Sequence, residues 1–355
     1  MRSFTRRQFN KISGLAMLGP AVPGWYSAVG GESGRIKIGQ IGTTHSHASG
    51  KIETIRKLED IFELVGIVEP DPERRKEALR DPAYQDLQWM TEDELLNQHD
   101  LCAVAIETDL KDLVPAGMRC IDAGLHIHLD KPPGKSLKDL TKLYETATAK
   151  NLTVQMGYMF RYNPAFQFCL KAVHEGWLGE IFEVDGVISK FISEKRRPDL
   201  TSMYGGAMML LGCHLLDIAI AILGKPQKVD NYRKQTFPDR DNLFDNELVT
   251  LDYPKATATI RSALVEVEGQ ERRQFVVCGT KGTIEIKPLE PPRLMFAADR
   301  SFGEFREGYQ LISLEKMPGR YDHQLLDFAG MIHGEKKPVF SMAHDLLVQA
   351  VLLEA

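Results

Sequence analysis

From Arg35 to Gln155 the chain alternates short apolar runs with amphipathic stretches. The runs are Ile36–Ile41, Leu64–Val68, Cys102–Ile106, His126–Leu129 and Leu152–Met156, short and continuous as strands buried on both faces are. Between them, Ile52–Leu58, Leu113–Ala123 and Leu137–Ala149 repeat apolar positions at helical spacing. Strands alternating with helices predict βαβ units, right-handed crossovers and a doubly wound parallel sheet. The pattern then changes. Asn163-Pro164 reads as a helix start with Phe166, Leu170 and Val173 on one face, and Gly212–Leu223 as a second helix closed by Gly224 and Pro226. Period-two alternation at Ile181–Val187, Glu247–Tyr253 and Ala256–Arg261 predicts strands, the last two joined through Pro254-Lys255. Gln274–Val277 and Thr283–Lys287 flank Gly279-Thr280-Lys281-Gly282, another hairpin. Hairpins imply an open, mostly antiparallel sheet with helices on one face. Residues 229–246 and 289–320 read as loop, and the tail from Asp322 returns to helix, broken between Gly334 and Ser341.

The chain's 355 residues exceed one small core. The expected fold is α/β: a dinucleotide-binding Rossmann domain at 34–155 and a substrate and oligomerisation domain at 156–355, after a leader and linker at 1–33. Hydrophobic residues make up 43% and charged ones 26%, as in soluble globular proteins. A net charge of −5 without a dense basic run past the leader argues against nucleic acid and anionic membrane as partners. The five cysteines are scattered without C-x-x-C spacing, so neither a disulfide framework nor a zinc site is expected from them.

Thr5-Arg6-Arg7-Gln8-Phe9-Asn10-Lys11 has the form of a twin-arginine export signal, and Ile12–Val29, broken by Pro20 and Pro23, is its apolar region rather than a stable membrane anchor. Export through the twin-arginine translocon to the periplasm carries a folded protein. It therefore reconciles the leader with a bound dinucleotide.

The chemistry-bearing residues lie mostly at predicted strand ends. Gly42 follows the first strand where the first glycine of G-x-G-x-x-G belongs, while Thr44 and His47 replace the other two glycines. The helix N-terminus beyond it would attract pyrophosphate, with Thr43, Thr44 and His45 contributing from the turn. Glu69, closing the second strand, is placed to bond the adenosine ribose and to repel a 2′-phosphate, which favours NAD over NADP. Asp130-Lys131-Pro132 closes the strand at His126, where open α/β sheets bind ligands. The pairs His45-x-His47 and His126-x-His128 imitate metal ligands, but no carboxylate cluster completes a site in the sequence pattern, so no metal is expected. Further along come Met156-Gly157-Tyr158-Met159-Phe160-Arg161-Tyr162-Asn163-Pro164 and Gly205-Gly206, then Gly212, read as allowing close backbone approach to a ligand, and His214 with Asp217 on one helical face.

Taken in order, the Gly42 turn, Glu69, Thr108, Asp130-Lys131-Pro132, Arg161-Tyr162-Asn163-Pro164, Gly205-Gly206, Gly212 and His214-x-x-Asp217 resemble the glucose–fructose oxidoreductase/inositol dehydrogenase family over almost everything after residue 34. The resemblance implies an NAD(P)-dependent oxidoreductase acting on a sugar, polyol or cyclitol. It puts Lys131 and His214 in the catalytic positions, with Thr108, Asp130 and Arg161 near the cofactor. Tyr158, Arg161, Tyr162, Asp217, Lys131 and His214 would contact substrate. His214 is the expected base, because imidazole titrates near neutrality. Lys131 would stabilise the alkoxide. The open sheet face implies a homo-oligomer. Asp130 stands where the family has glutamate, Leu210 where it often has aspartate, and Asp109-Leu110 where it often has Pro-Asn. Two alternatives stay beside this: a glycosidase or lyase working by transient oxidation and elimination, which some relatives in the broader family resemble, and a non-catalytic sugar-binding accessory protein, which Leu210 and the altered glycine turn motivate.

Overall fold

The computed structural model describes residues 34–201 and 206–355. The twin-arginine segment and Gly205 lie outside the described residues. The chain forms two compact units, one of residues up to 157 together with 319–347, the other of 158–318 together with 348–355. The division is thus not a single cut along the chain, because the stretch from Gly319 to Leu347 belongs with the N-terminal unit.

The first unit is built on a parallel sheet ordered β3-β2-β1-β4-β5-β6. Its strands are β1 Ile36–Ile41, β2 Phe62–Val68, β3 Trp89–Met90, β4 Ala103–Ile106, β5 His126–Leu129 and β6 Val154–Met156. All four residues of β4 are buried, as expected for a strand covered on both faces. Helices Ala48–Lys57, Leu110–Asp122 and Leu137–Ala149 fall where the periodicity places them. The last begins at Ser136, whose hydroxyl accepts the Asp139 N–H. The short helix Pro72–Ala78, the short β3 and the helix Glu92–Leu96, set by a Thr91–Glu94 capping box, are elements the apolar pattern does not show. The core gathers Ile36, Ile38, Ile52, Ile55, Phe62 and Ile67 with Leu325, Phe328 and Ala329 from the returning helix Asp322–Ile332.

The second unit carries a sheet ordered β14-β13-β12-β11-β7-β10-β9-β8. The strands are β7 Ile181–Val187, β8 Lys228–Lys234, β9 Asn246–Asp252, β10 Thr257–Ala263, β11 Gln274–Gly279, β12 Gly282–Ile286, β13 Leu294–Ala298 and β14 Gly308–Ile312. Neighbours run antiparallel except β7 and β10, which are parallel. Two stretches expected to be loop contain strands. β8 falls at the start of 229–246, beginning one residue before it, and β13 and β14 lie within 289–320. β8 and β14 are the edge strands and are largely solvated, so their apolar alternation is weak; β13, paired on both sides, does alternate. The helix Pro164–His174 starts as expected, with the Asn163 side chain accepting the Ala165 N–H. Phe166 stacks on Phe160 and meets Phe275 of the sheet. No helix among the described residues is long and apolar enough to cross a membrane.

Gly42 shows why the first turn needs glycine. Its φ is +89°, and a Cβ there would lie 2.7 Å from Thr108 N and Cα. Gly42→Ala should therefore destabilise the protein by about 2–4 kcal/mol through backbone strain and overpacking. Thermal unfolding followed by tryptophan fluorescence tests this, and a midpoint equal to that of the wild type would contradict it.

Candidate active site

At the carboxyl end of the parallel sheet, the turn after β1 runs into the helix Ala48–Lys57. No side chain caps this helix at His47, and its first turn holds no acidic residue, so its positive end stays open to an anion. Beside it, Glu69 at the end of β2 accepts the Thr43 N–H at 3.0 Å and the Thr43 hydroxyl at 2.7 Å on one oxygen, and the Asp71 N–H at 3.2 Å on the other. The carboxylate is fixed to the turn and keeps lone pairs for further donors. Gln40 beneath it donates to the Gly42 carbonyl and to the Tyr84 hydroxyl. Thr44 is half-buried in the same turn, and the Thr108 hydroxyl bonds its neighbour's carbonyl at Asp109.

The ends of β4 and β5 bring Glu107, Asp130 and Lys131 to that turn. All are buried, and the Lys131–Pro132 peptide is cis. His45 places its Nε2 3.0 Å from the Lys131 carbonyl oxygen and its Nδ1 3.4 Å from Asp130 and 3.5 Å from Glu107. His47 Nδ1 is 3.2 Å from both Asp130 oxygens. Lys51 contacts His128 Nε2 and lies 3.4 Å from Asp130 and 3.7 Å from Glu107. Gln155 accepts from His128 Nδ1 and donates to the Gln324 carbonyl, which orders the far side of the group.

Burial controls the protonation of this cluster. It pushes His45 down to about 4 and His128 to about 3, and lowers His47 as well, so all three imidazoles are neutral near pH 7. Glu107 is raised, first by burial and then by Asp130. Burial opposes the Asp130 anion, but polar contacts with His45 and His47 and the Lys51 ammonium outweigh it, so Asp130 is lowered. Two unlike carboxyls therefore sit side by side, one stabilised as the anion and one not.

Sequence reasoning singled out His45, Asp130 and Lys131, and the structure brings them together. It did not anticipate Glu107 or Lys51. Lys51 had a readable signal, since it falls in the Ala48, Ile52, Ile55 apolar stripe, where a lysine needs a buried partner. Glu107 follows a wholly apolar strand and shows no comparable mark. The ground for expecting no metal, that no carboxylates complete the histidine pairs, does not hold. Glu107 and Asp130 both lie among the histidines.

In the second unit, Arg161 and Asp217 form a bidentate pair of 2.9 and 2.6 Å with both side chains nearly inaccessible. The two residues expected to contact ligand are thus committed to each other, and the Arg161 guanidinium also lies 4.8 Å from the Tyr158 ring centroid. Tyr162 ends the single 3-10 turn that carries Arg161. His214 is buried, with its ring against Tyr158 and Phe160. It stands on the helix Cys213–Leu223, which a π-helical turn at Met208–Gly212 precedes. Such wide turns recur at functional sites. The face of Gly212 expected to admit a ligand is instead filled by the Met208 side chain, where a Cβ would meet Sδ at 2.1 Å. Gly206 is pressed against the Phe244 carbonyl with φ +53°, a position only glycine fits.

Two family models match the chain. One is described as the oxidoreductase family with an NAD-binding Rossmann fold, over residues 36–158, and the other as the Gfo/Idh/MocA C-terminal domain, over 166–285. The chain belongs to the Gfo/Idh/MocA oxidoreductase family and is an NAD(P)-dependent oxidoreductase. Among curated relatives, the uncharacterized oxidoreductase YhhX of Escherichia coli is 28% identical over 62% of this chain and 67% of its own length. Myo-inositol 2-dehydrogenase of Thermotoga maritima is 22% identical over 87% of this chain and 90% of that protein. Among solved structures, the aldose-aldose oxidoreductase of Caulobacter crescentus complexed with glycerol aligns over 89% of this chain and 95% of that one, with TM-score 0.74 and 19% identity, which shows a shared fold.

The Arg161–Asp217 pair is open to direct test. Removing one partner of a buried ion pair strands the other charge, so Asp217→Asn and Arg161→Met should each destabilise by about 3–5 kcal/mol. The double replacement Arg161→Met with Asp217→Asn should lose less than the two single losses added together. Denaturant unfolding of the three variants checks it, and additive losses in the double variant would contradict a direct pairing.

Proposed function

We propose that this protein is an exported oxidoreductase that holds NAD tightly and oxidises a hydroxyl of a sugar, polyol or sugar derivative. The observation that carries the reading is the pairing of an uncapped helix N-terminus after Gly42 with a fixed Glu69 carboxylate. These features fit a dinucleotide, with an anion site from the helix and an acceptor for ribose hydroxyls from Glu69. The negative charge of Glu69 favours NAD over NADP. The names of the relatives, an inositol dehydrogenase and an aldose-aldose oxidoreductase, support a carbohydrate substrate. The Thr5-Arg6-Arg7 leader supports export to the periplasm through the twin-arginine translocon, with the cofactor already in place. An open, largely antiparallel sheet in the second unit supports a homo-oligomer.

Bound NAD would supply the hydride acceptor. Oxidation removes a hydride from the carbinol carbon and a proton from its oxygen, leaving a carbonyl. The reading assigns the proton to His214 and the developing alkoxide charge to the Lys131 ammonium. Asp130 and His45 act on Lys131 through its backbone, since Asp130 accepts the Lys131 N–H at 2.6 Å and His45 bonds its carbonyl oxygen. Thr43 and Glu69 hold the turn in place. A cofactor that stays bound must be reoxidised in place by a second substrate.

Denaturing the purified protein, never exposed to added nucleotide, and identifying the released small molecules by mass spectrometry tests the cofactor assignment. The expected result is NAD in near-stoichiometric amount, with little NADP. Absence of nucleotide, together with no uptake of added NAD or NADP, would overturn it.

A further inference from the structure

The buried group at the carboxyl end of the first unit's sheet has more ligand-type donors than a nucleotide turn requires. We propose that His45, His47 and Asp130 bind a divalent metal ion of the zinc class, with a water in the fourth position that donates to Glu107. The assignment does not depend on the redox reading.

The tautomer of His45 is the starting point. Its Nε2 faces a backbone carbonyl at 3.0 Å, and a carbonyl can only accept, so the proton of the neutral ring is on Nε2. Nδ1 then presents its lone pair to the cluster. That lone pair lies 3.4 Å from an Asp130 oxygen and 3.5 Å from a Glu107 oxygen, both themselves electron donors. The His47 N–H donates to it at 3.3 Å, a long bond that an ion would replace. A cation bound among these atoms turns mutual repulsion into coordination. An imidazole whose other nitrogen donates to a carbonyl is the usual posture of a metal-ligating histidine.

The spacing agrees. Ligand atoms on an ion with bonds of about 2.0–2.1 Å in tetrahedral array lie about 3.3–3.4 Å apart. Asp130 Oδ2 is 3.4 Å from His45 Nδ1 and 3.2 Å from His47 Nδ1, and the donor atoms of the three residues lie within 4.8 Å of one another. His47 Nδ1 is hydrogen-bonded to Asp130 here, so in the ion-bound form its ring proton moves to Nε2. The other Asp130 oxygen is held by the Lys131 N–H at 2.6 Å, which orients the carboxylate as a supporting shell does.

Glu107 gives the independent sign. Its side chain is fully buried, and neither carboxylate oxygen has a hydrogen-bond partner among the described residues. A buried carboxyl group left without hydrogen bonds is unfavourable whichever its protonation state. A metal-bound water supplies the missing donor. The Lys51 ammonium contacts His128 Nε2 and also lies 3.4 Å from Asp130 Oδ2 and 3.7 Å from Glu107, so it shares the Asp130 carboxylate with the ion. His128 Nδ1 is anchored at 2.9 Å by Gln155. Lys51 thus serves the triad of Glu107, His128 and Asp130, and the ion serves that of His45, His47 and Asp130. Two imidazoles and a carboxylate suit zinc, cobalt or manganese better than magnesium or calcium.

The test uses the full-length protein purified without an immobilised-metal step. Elemental analysis of the protein as isolated should show close to one zinc-class ion per chain. After stripping with a chelator, cobalt(II) titration should produce the visible bands of a tetrahedral site, saturating at one equivalent and abolished by zinc. His45→Ala and His47→Ala should each remove the bands, and Glu107→Gln should keep the ion but shift the bands. If the wild type holds no ion as isolated and gives no cobalt bands, the proposal fails, whatever the variants do. Bands that persist in both histidine variants overturn it equally. Because the readout is the metal itself, absence of NAD from the protein leaves this result unaffected.

Discussion

Burial of Asp130 and Glu107 beside Lys51 is the constraint on which the first unit turns. All three side chains are inaccessible at the carboxyl end of a parallel sheet. Taking such charges out of water costs several kcal/mol each unless partners meet them. The partners come from separate parts of the chain: the turn after β1 gives His45 and His47, its helix gives Lys51, and β5 gives His128. The returning stretch adds Tyr321, whose ring centroid lies 4.9 Å from the Lys51 ammonium. The first turn is therefore fixed to the ends of β4 and β5 by electrostatics as well as by the close backbone approach at Gly42. Lys131 inherits that fixed position, since its N–H and its carbonyl are both tied into the group.

The second unit solves a similar problem with one pair. Arg161 and Asp217 neutralise each other bidentately, which joins the 3-10 turn after Tyr158 to the helix that carries His214. A planar guanidinium matched to a carboxylate gives direction as well as charge compensation. His214 is held in turn by the rings of Tyr158 and Phe160, and its helix starts from a π-helical turn that Gly212 and Met208 fit together. In both units, residues that a motif reading assigns to ligands are also those that hold the local backbone.

Much of this was legible in the chain, for identifiable reasons. Buried parallel strands such as Ala103–Ile106 announce themselves by continuous apolar runs, and Asn163-Pro164 announces a helix by cap chemistry. The outer strands Lys228–Lys234 and Gly308–Ile312 did not, because solvation weakens the alternation on which strand recognition depends. In the candidate site, Gly42, Glu69, Asp130 and Lys131 were readable because each closes a strand. Glu107 closes one too, but with nothing beside it in sequence to reveal a function. The Arg161–Asp217 pairing was hidden because it joins residues far apart in the chain, and spacing had suggested only that Asp217 shares a face with His214.

The proposed function gives Lys131 the central part in the chain's hydride chemistry. The most direct measurement adds a panel of sugars and polyols to the purified protein, with its nucleotide in place, and follows the absorbance of reduced nicotinamide in wild type and in Lys131→Ala. The account predicts reduction of the bound nucleotide in the wild type by at least one carbohydrate. In the variant it predicts retained nucleotide and a rate lower by at least about 10²-fold. Equal reduction in both proteins, or a wild type that holds nucleotide and reduces it with none of the panel, would contradict it.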